Sequence, residues 1–400
     1  MNQAPFYRKP IANISDNKTD PTHWQTVLQT YDSGKYKEAI IENLNYIDKE
    51  VVKSMGNAGL TEFVIPHGSI RLTLTIKDGK FKVTAPFLKI NEKNAIPIMR
   101  QVAEINFSVL ILSKIILKED NKLYFEYNNP IELSEPYKVY GILKEICNNA
   151  DYYDDVFVEK YGAERLTEIQ SKKYTQAEMD EAWSMYGKIL REGLEYAAFF
   201  ESKRWFYFAW DSMANSLLKL DYVLSPQGYL KGELENSVAT LYVQEGIEDI
   251  NAKVKEKIGK LMEVDKKKFE ECMYMPNFLI PVKYNTNFSV LQEYAQKSYD
   301  RAKSEYGSSN YLGAFYTLLY QIYNTFYRDS IPFYAAKLLN ESLEAAGGKP
   351  WKDAATILLS AYDKIMGSKT EEDFINLVSP SKSSGETSGF AKKIGKFFGF

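Results

Sequence analysis

Ser69-Ile-Arg-Leu-Thr-Leu-Thr-Ile76, Lys77-Asp-Gly-Lys80 and Phe81-Lys-Val-Thr-Ala85 form one continuous stretch that decides the architecture. Its first part alternates strictly, so Ile70, Leu72, Leu74 and Ile76 share one face of a strand. Asp78-Gly79 tolerates the positive φ angles of a two-residue hairpin. Phe81, Val83 and Ala85 then resume the alternation on the returning strand. This stretch sits in a longer unit, residues 68–162, with two hairpin patterns that are each followed by an amphipathic helix.

Working outward, residues 22–31 read as a short helix and Asp32-Ser-Gly34 as a turn. A longer helix starts at Lys35, with Tyr36, Ala39, Ile40, Leu44, Ile47 and Val51 on one face, and Asn57-Ala-Gly59 stops it. After the first hairpin, Asn94 stands as an N-cap for a helix over residues 94–106, with Pro97 in its first turn. Ile96, Met99, Val102, Ala103 and Asn106 share its face. Residues 107–117 form a near-continuous apolar run with β-branched residues, the pattern of a well-buried strand. Glu119-Asp-Asn121 turns the chain, and Leu123, Phe125 and Tyr127 alternate on the return. Ser134-Glu-Pro136 opens a helix whose buried stripe is Val139, Ile142, Leu143, Ile146, Cys147 and Ala150.

The order is helix, antiparallel strands, helix, hairpin, helix. With Gly68-Ser-Ile-Arg-Leu-Thr-Leu74, Asn106 before the second hairpin and Asn149-Ala-Asp-Tyr-Tyr-Asp154 in the last helix, it resembles the type III secretion chaperone-like fold, which the bacterial YbjN-like proteins share. The resemblance covers roughly residues 35–165, about the size of one domain. It implies a small bacterial protein-binding domain that catalyses nothing and pairs as a homodimer. The long C-terminal extension is a departure from that pattern.

Beyond Ser171-Lys-Lys-Tyr-Thr175, with Thr175 and Glu178 spaced as a capping box, the chain reads as helical. Residues 196–222 carry aromatics all round, the mark of a helix buried on every side. Ser225-Pro-Gln-Gly228 ends it. Ile247, Ile250, Val254, Ile258 and Leu261 mark a charged amphipathic helix, and Pro276 and Pro281 bracket an extended link. Two helical hairpins follow over residues 288–366. Their turns precede Tyr311 with Ala314 and Trp351 with Ala354, and Gly34, Tyr36 and Ala39 echo them. The pattern resembles tetratricopeptide hairpins, with an irregular period; ordinary helical bundles also place small residues at such turns. The class is therefore α+β: a flexible arm over residues 1–20, a chaperone-like domain over 21–170, a mainly α-helical domain over 171–370, a linker over 371–389 and a terminal segment over 390–400.

Composition excludes several functions. Lys+Arg of 50 against Asp+Glu of 53 leaves a net charge of −3, without the basic excess of a nucleic-acid binder. The 45% hydrophobic and 14% aromatic shares supply real cores. Two cysteines, Cys147 and Cys272, form no C-x-x-C pair, which fits a reducing compartment. There is neither a signal-peptide pattern at the N-terminus nor an apolar run of about 18 residues. The chain reads as cytoplasmic, with contact at the inner membrane surface as a further reading.

Residues able to do chemistry are few. His67, in the turn Pro66-His-Gly68, and His23 near the arm lack partners at metal-ligand spacing and read as turn or surface residues. Cys147 reads as a core thiol, and Cys272, after Glu270-Glu271, as inert. Asp151, Asp154 and Asp155 lack the alternation of a calcium loop and read as a solvated helix end. No P-loop, dinucleotide fingerprint or nucleophile elbow occurs. No catalytic residue, cofactor or metal is therefore assigned.

The most suggestive segment is terminal. Phe390, Ile394, Phe397 and Phe398 fall on one helical face; Lys392, Lys393 and Lys396 fall elsewhere, and Phe400 closes the chain. Ser379-Pro-Ser-Lys-Ser-Ser-Gly-Glu-Thr-Ser-Gly389 tethers the segment. Weak attachment to an anionic membrane, docking into a protein groove, and no role are the three readings. The function expected is a protein-binding adaptor or chaperone-like scaffold; the alternatives are a peripheral membrane scaffold and an enzyme with a site in the helical domain.

Overall fold

In the computed structural model, which describes residues 2–11, 18–91, 93–168 and 171–379, the chain is an antiparallel sheet packed with helices, followed by a helical half. The first half runs α1 (Trp24–Asp32), α2 (Tyr36–Ile47), α3 (Lys49–Ser54), β1 (Glu62–His67), β2 (Ile70–Lys77), β3 (Lys80–Lys89), α4 (Ala95–Ser108), β4 (Lys114–Lys118), β5 (Lys122–Pro130) and α5 (Pro136–Tyr161). The sheet order is β1-β2-β3-β5-β4, and a short β6 (Glu164–Arg165) pairs with β3.

The opening stretch folds as read. Ile70, Leu72, Leu74 and Ile76 are buried, as are Phe81, Val83 and Ala85, and Lys77 pairs with Lys80 across the turn. Asp78 and Gly79 both take positive φ, as the two-residue hairpin requires. Leu123, Phe125 and Tyr127 of β5 join the same face. Against it lies the buried stripe of α5: Val139, Ile142, Leu143, Ile146, Cys147 and Ala150. Glu135 caps α5 by accepting from the N–H groups of Tyr137 and Lys138, with Pro136 in the first turn.

Several boundaries differ from the sequence reading. The helix from Lys35 is two helices, because Asp48 is extended and its side chain caps α3 through Glu50 N–H. Asn94 precedes α4 but does not cap it; its amide instead donates to the Tyr161 carbonyl, tying α4 to the end of α5. The buried face of α4 is Ile98, Val102 and Ile105, while Ile96 is exposed. Residues 107–117 are not one buried strand. α4 runs on to Ser108, and Phe107 and Ile111 are 92% and 88% exposed; Leu110 and Ile115 reach the core, and Leu112 packs half-buried against it. An apolar run records composition, and the helical turn still in force at Phe107 aims it outward.

Polar groups organise that connection. Asn106 accepts from Ile115 N–H at 2.7 Å and donates to its carbonyl at 2.9 Å, acting as one more strand residue. Glu145 of α5 accepts from the N–H groups of Ile111, Leu112 and Ser113 and from the Ser113 hydroxyl. Charge-assisted bonds to several backbone donors are among the stronger ones. Glu145→Ala is expected to cost about 2 kcal/mol in urea unfolding and to unprotect these amides in hydrogen exchange.

The helical half follows β7 (Ser171–Lys173) and contains α6 (Gln176–Ser202), α7 (Phe206–Leu224), α8 (Gly228–Thr240), α9 (Ile247–Met262), α10 (Lys266–Glu271), β8 (Tyr274–Pro276), β9 (Tyr284–Asn285), α11 (Phe288–Gly307), α12 (Tyr311–Arg328), β10 (Asp329–Ser330), α13 (Phe333–Ala346), α14 (Trp351–Gly367) and α15 (Glu371–Val378). Thr175 and Glu178 make the expected capping box. The aromatic stretch 196–222 is two helices, broken at Lys203-Arg-Trp205, where Arg204 takes positive φ; Trp205 and Tyr207 are exposed. Residues 371–378, read as linker, form α15 because Thr370 and Asp373 box its start and Phe374 stacks on Phe288. α11 with α12 and α13 with α14 form the two helical hairpins.

Two cores result. One gathers the sheet, α2, α4 and α5; the other gathers the helices from Tyr174 to Phe374. Residues of each half also reach the other's core. Leu279 and Ile280 enter the first core, and Ala4 enters the second. Among the described residues no helix is long and apolar enough to cross a membrane.

Candidate functional site

A cavity of about 580 Å³ opens between the two halves. Its walls include His67, Asp151, Asp155, Asp221, Lys231 and Glu235. The corner after β1 builds one wall. Gly68 takes positive φ and its N–H donates to the Asn277 carbonyl at 2.8 Å. His67 is 1% exposed, and its Nδ1 accepts from Leu279 N–H at 3.0 Å. That acceptor role requires the neutral ring, and burial pushes the imidazole down to about 3. His67 is therefore a buried strut between the two halves and not a surface turn residue. Sequence reasoning missed it because its partner lies 212 residues away.

Asp151 accepts from Ser69 N–H at 2.5 Å and from its hydroxyl at 2.8 Å, fixing α5 to the same corner. Arg165 donates from Nε to Asp154 at 3.0 Å and from a terminal nitrogen to Asp155. Asp154 is 2% exposed, with Oδ1 lacking a partner among the described residues. Burial raises all three carboxyls, and in Asp154 the Asp155 charge adds to it. Asp154 is thus buried and Asp151 and Asp155 half-buried, with Arg165 bracing Asp154 and Asp155, which corrects the reading as a solvated helix end. Among the described residues no group of three or more His, Cys, Asp or Glu is placed to hold a metal ion.

On the facing wall, Lys231 bonds Asp221 at 2.8 Å and approaches Glu235 at 3.5 Å. Burial pushes the Asp221 carboxyl up, and Lys231 and Lys283 more than reverse it; burial leaves Glu235 raised. Lys231→Met would leave Asp221 buried without its ion pair. The expected loss is about 2 kcal/mol, discounted because Lys231 is partly exposed, and Asp221→Asn in the same chain should restore much of it. Urea midpoints of the single and double variants measure both.

A second site lies on the helical half, where residues 3–11 run extended across α6, α7, α13 and the α13–α14 turn. They were read as part of a flexible arm, but here they are docked. Ala4 N–H donates to the Lys349 carbonyl at 2.7 Å and its carbonyl accepts from Gly348 at 3.0 Å. Phe6 N–H donates to Glu192 Oε1 at 2.9 Å, and Lys219 Nζ donates to the Phe6 carbonyl. The Phe6 ring lies under Lys188 and Lys219, 4.0 and 3.5 Å from their ammonium groups. Tyr7 OH donates to Asn340 at 2.5 Å, and Arg8 and Lys9 pair with Glu181 and Glu344. Ile11 N–H donates to the Val223 carbonyl at 3.0 Å. The sequence signals were Phe6-Tyr7 in a polar arm and Lys219 as the one basic residue of α7, and neither reveals the other.

His23 pairs with Glu42 at 2.5 Å, and Cys147 and Cys272 are buried thiols. Burial raises both thiols, which disfavours thiolate chemistry. The sequence-derived site residues Phe390, Lys392, Lys393, Ile394, Lys396, Phe397, Phe398 and Phe400 lie outside the described residues. No protein-family model and no curated protein matches the chain.

Proposed function

We propose that the protein is a non-enzymatic binding adaptor or chaperone-like scaffold of the bacterial cytoplasm, whose partner is another protein. The observation that carries this reading is the docked segment 3–11. A groove on the helical half holds an extended peptide through both its main chain and its side chains, which is how peptide-recognition domains work. Exposed Phe107 and Ile111 on the first half offer a second apolar contact surface. Affinity capture from native lysate tests the reading with the full chain and with a chain ending after Val378. A discrete protein retained by both supports it, and one retained by neither sinks it.

The cavity between the halves favours a second reading, an enzyme or small-ligand binder. Convergent ionisable groups in a cleft, with Asp151, Asp155 and Glu235 carboxyls raised, are the usual furniture of acid–base chemistry. A small-molecule thermal-shift screen on wild type and Asp155→Asn separates the two. A ligand whose stabilisation disappears in the variant would favour the cavity.

A further inference from the structure

We propose that residues 3–11 are an internal occupant of this groove, and that it accepts in their place a partner segment of the same chemistry. That segment is extended, with a small residue and proline, then two aromatic residues, then basic residues. The inference rests on the binding reading above and adds the partner's chemistry and the switch.

The contacts divide into a part indifferent to sequence and a part that selects. Ala4 pairs strand-like with Gly348 and Lys349, and Gln3 bridges Pro350 in antiparallel register. Phe6 offers both its N–H and its carbonyl, to Glu192 and Lys219 respectively. Any extended chain could supply these groups. Selection comes from the side chains. Ala4 is buried, so only a small residue fits there. Position 6 needs a π face for two ammonium groups. Position 7 needs a hydroxyl for Asn340, which also accepts from Tyr222 at 2.8 Å. Positions 8 and 9 meet the carboxylates Glu181 and Glu344.

The floor of the groove mixes apolar side chains with a buried ion pair and an amide oxygen unpartnered among the described residues. Ile189, Phe315, Leu319 and Leu343 give the floor an apolar part, but the groups nearest Phe6 are charged. Here Lys219, 5% exposed, shares a 3.3 Å ion pair with Glu192 directly under Phe6. Burying that pair is costly, and departure of the arm returns it to water. Asn215, 5% exposed, lines the small cavity under Phe6 and Tyr7, and its Oδ1 has no partner among the described residues. The arm therefore covers the groove without satisfying it. The ladder of the first half involves no residue of the arm, so exchange leaves the sheet intact.

The test uses a fluorescein-labelled synthetic peptide of residues 3–11 and the full chain with Phe6→Ala and Tyr7→Ala. The peptide is expected to bind this chain at micromolar concentration and the unaltered chain at least about tenfold more weakly. Adding Lys219→Met should weaken it again by about tenfold. No binding at about 1 mM to a chain with native circular dichroism, or equal binding to all three chains, overturns the proposal. A dimer in light scattering that Phe6→Ala with Tyr7→Ala abolishes also overturns it, because a second copy is then the occupant. If that variant does not fold, native hydrogen exchange on the unaltered chain decides. Ala4, Phe6 and Ile11 amides should exchange about 100-fold faster than those of α6 and α7; exchange only with global unfolding overturns the proposal. None of these readouts uses the lysate partner, so failure of the capture experiment is a separate result.

Discussion

Gly68→Ala is expected to destabilise the protein by about 4 kcal/mol. Gly68 has a φ of +55, and a Cβ there would lie 2.0 Å from Asp151 Oδ1 and 2.4 Å from its Cγ. The left-handed backbone alone costs a non-glycine residue about 1 kcal/mol. The rest comes from displacing a half-buried carboxylate that holds Ser69 N–H and hydroxyl. Asp151→Ala should itself be destabilising, because it orphans those donors, but it removes the clash. The double variant is therefore expected to lose less than the two single losses together. Urea unfolding of the four chains measures the coupling; strict additivity would show that the contact is absent in solution. Because the same corner docks on residues 277–280, Gly68→Ala should also loosen the junction between the halves.

Acidification is the second large effect, and it runs through His67. Its folded pKa, about 3, lies below the ordinary 6.5, so the unfolded chain takes the proton first. The stabilisation is complete above pH 6.5 and is lost as pH falls from there towards 3. Between pH 7 and about pH 4 the loss attributable to this residue is about 3 kcal/mol. Other buried groups pull the opposite way. Asp211, pushed up to about 7 by burial, and the Asp154–Asp155 pair are held better protonated in the folded protein, so their penalties ease as pH falls. The informative quantity is accordingly the difference between wild type and His67→Gln. That difference should shrink by about 3 kcal/mol on going from pH 7 to pH 4, and a pH-independent difference would mean the ring is solvated.

Much of the first half was legible from sequence. The β2–β3 hairpin and the stripe of α5 follow from side-chain alternation and helical spacing, both of which act between residues close in the chain. The capping box at Thr175 is equally local. Composition does not state direction. The 107–117 run is apolar, yet Phe107 points outward because helix geometry continues to Ser108, and Ile111, in the bend beyond it, is exposed too. The aromatic stretch 196–222 hid a helix break at Arg204, and Asp48 hid another in the first half.

The candidate sites were not legible, for a different reason. Lys219 and Phe6 are 213 residues apart, as are His67 and Ile280. Nothing in the spacing along the chain links Asp151 to Ser69, or Arg165 to the helix before it, as partners. Sequence alone determined the α+β class, the hairpin register and most helix faces, because short-range sterics and periodic burial are encoded residue by residue. Tertiary structure alone decided that a polar arm fills a groove and that a turn histidine becomes a neutral strut. Burial depends on which distant surfaces close over a group, and only the closed fold states that.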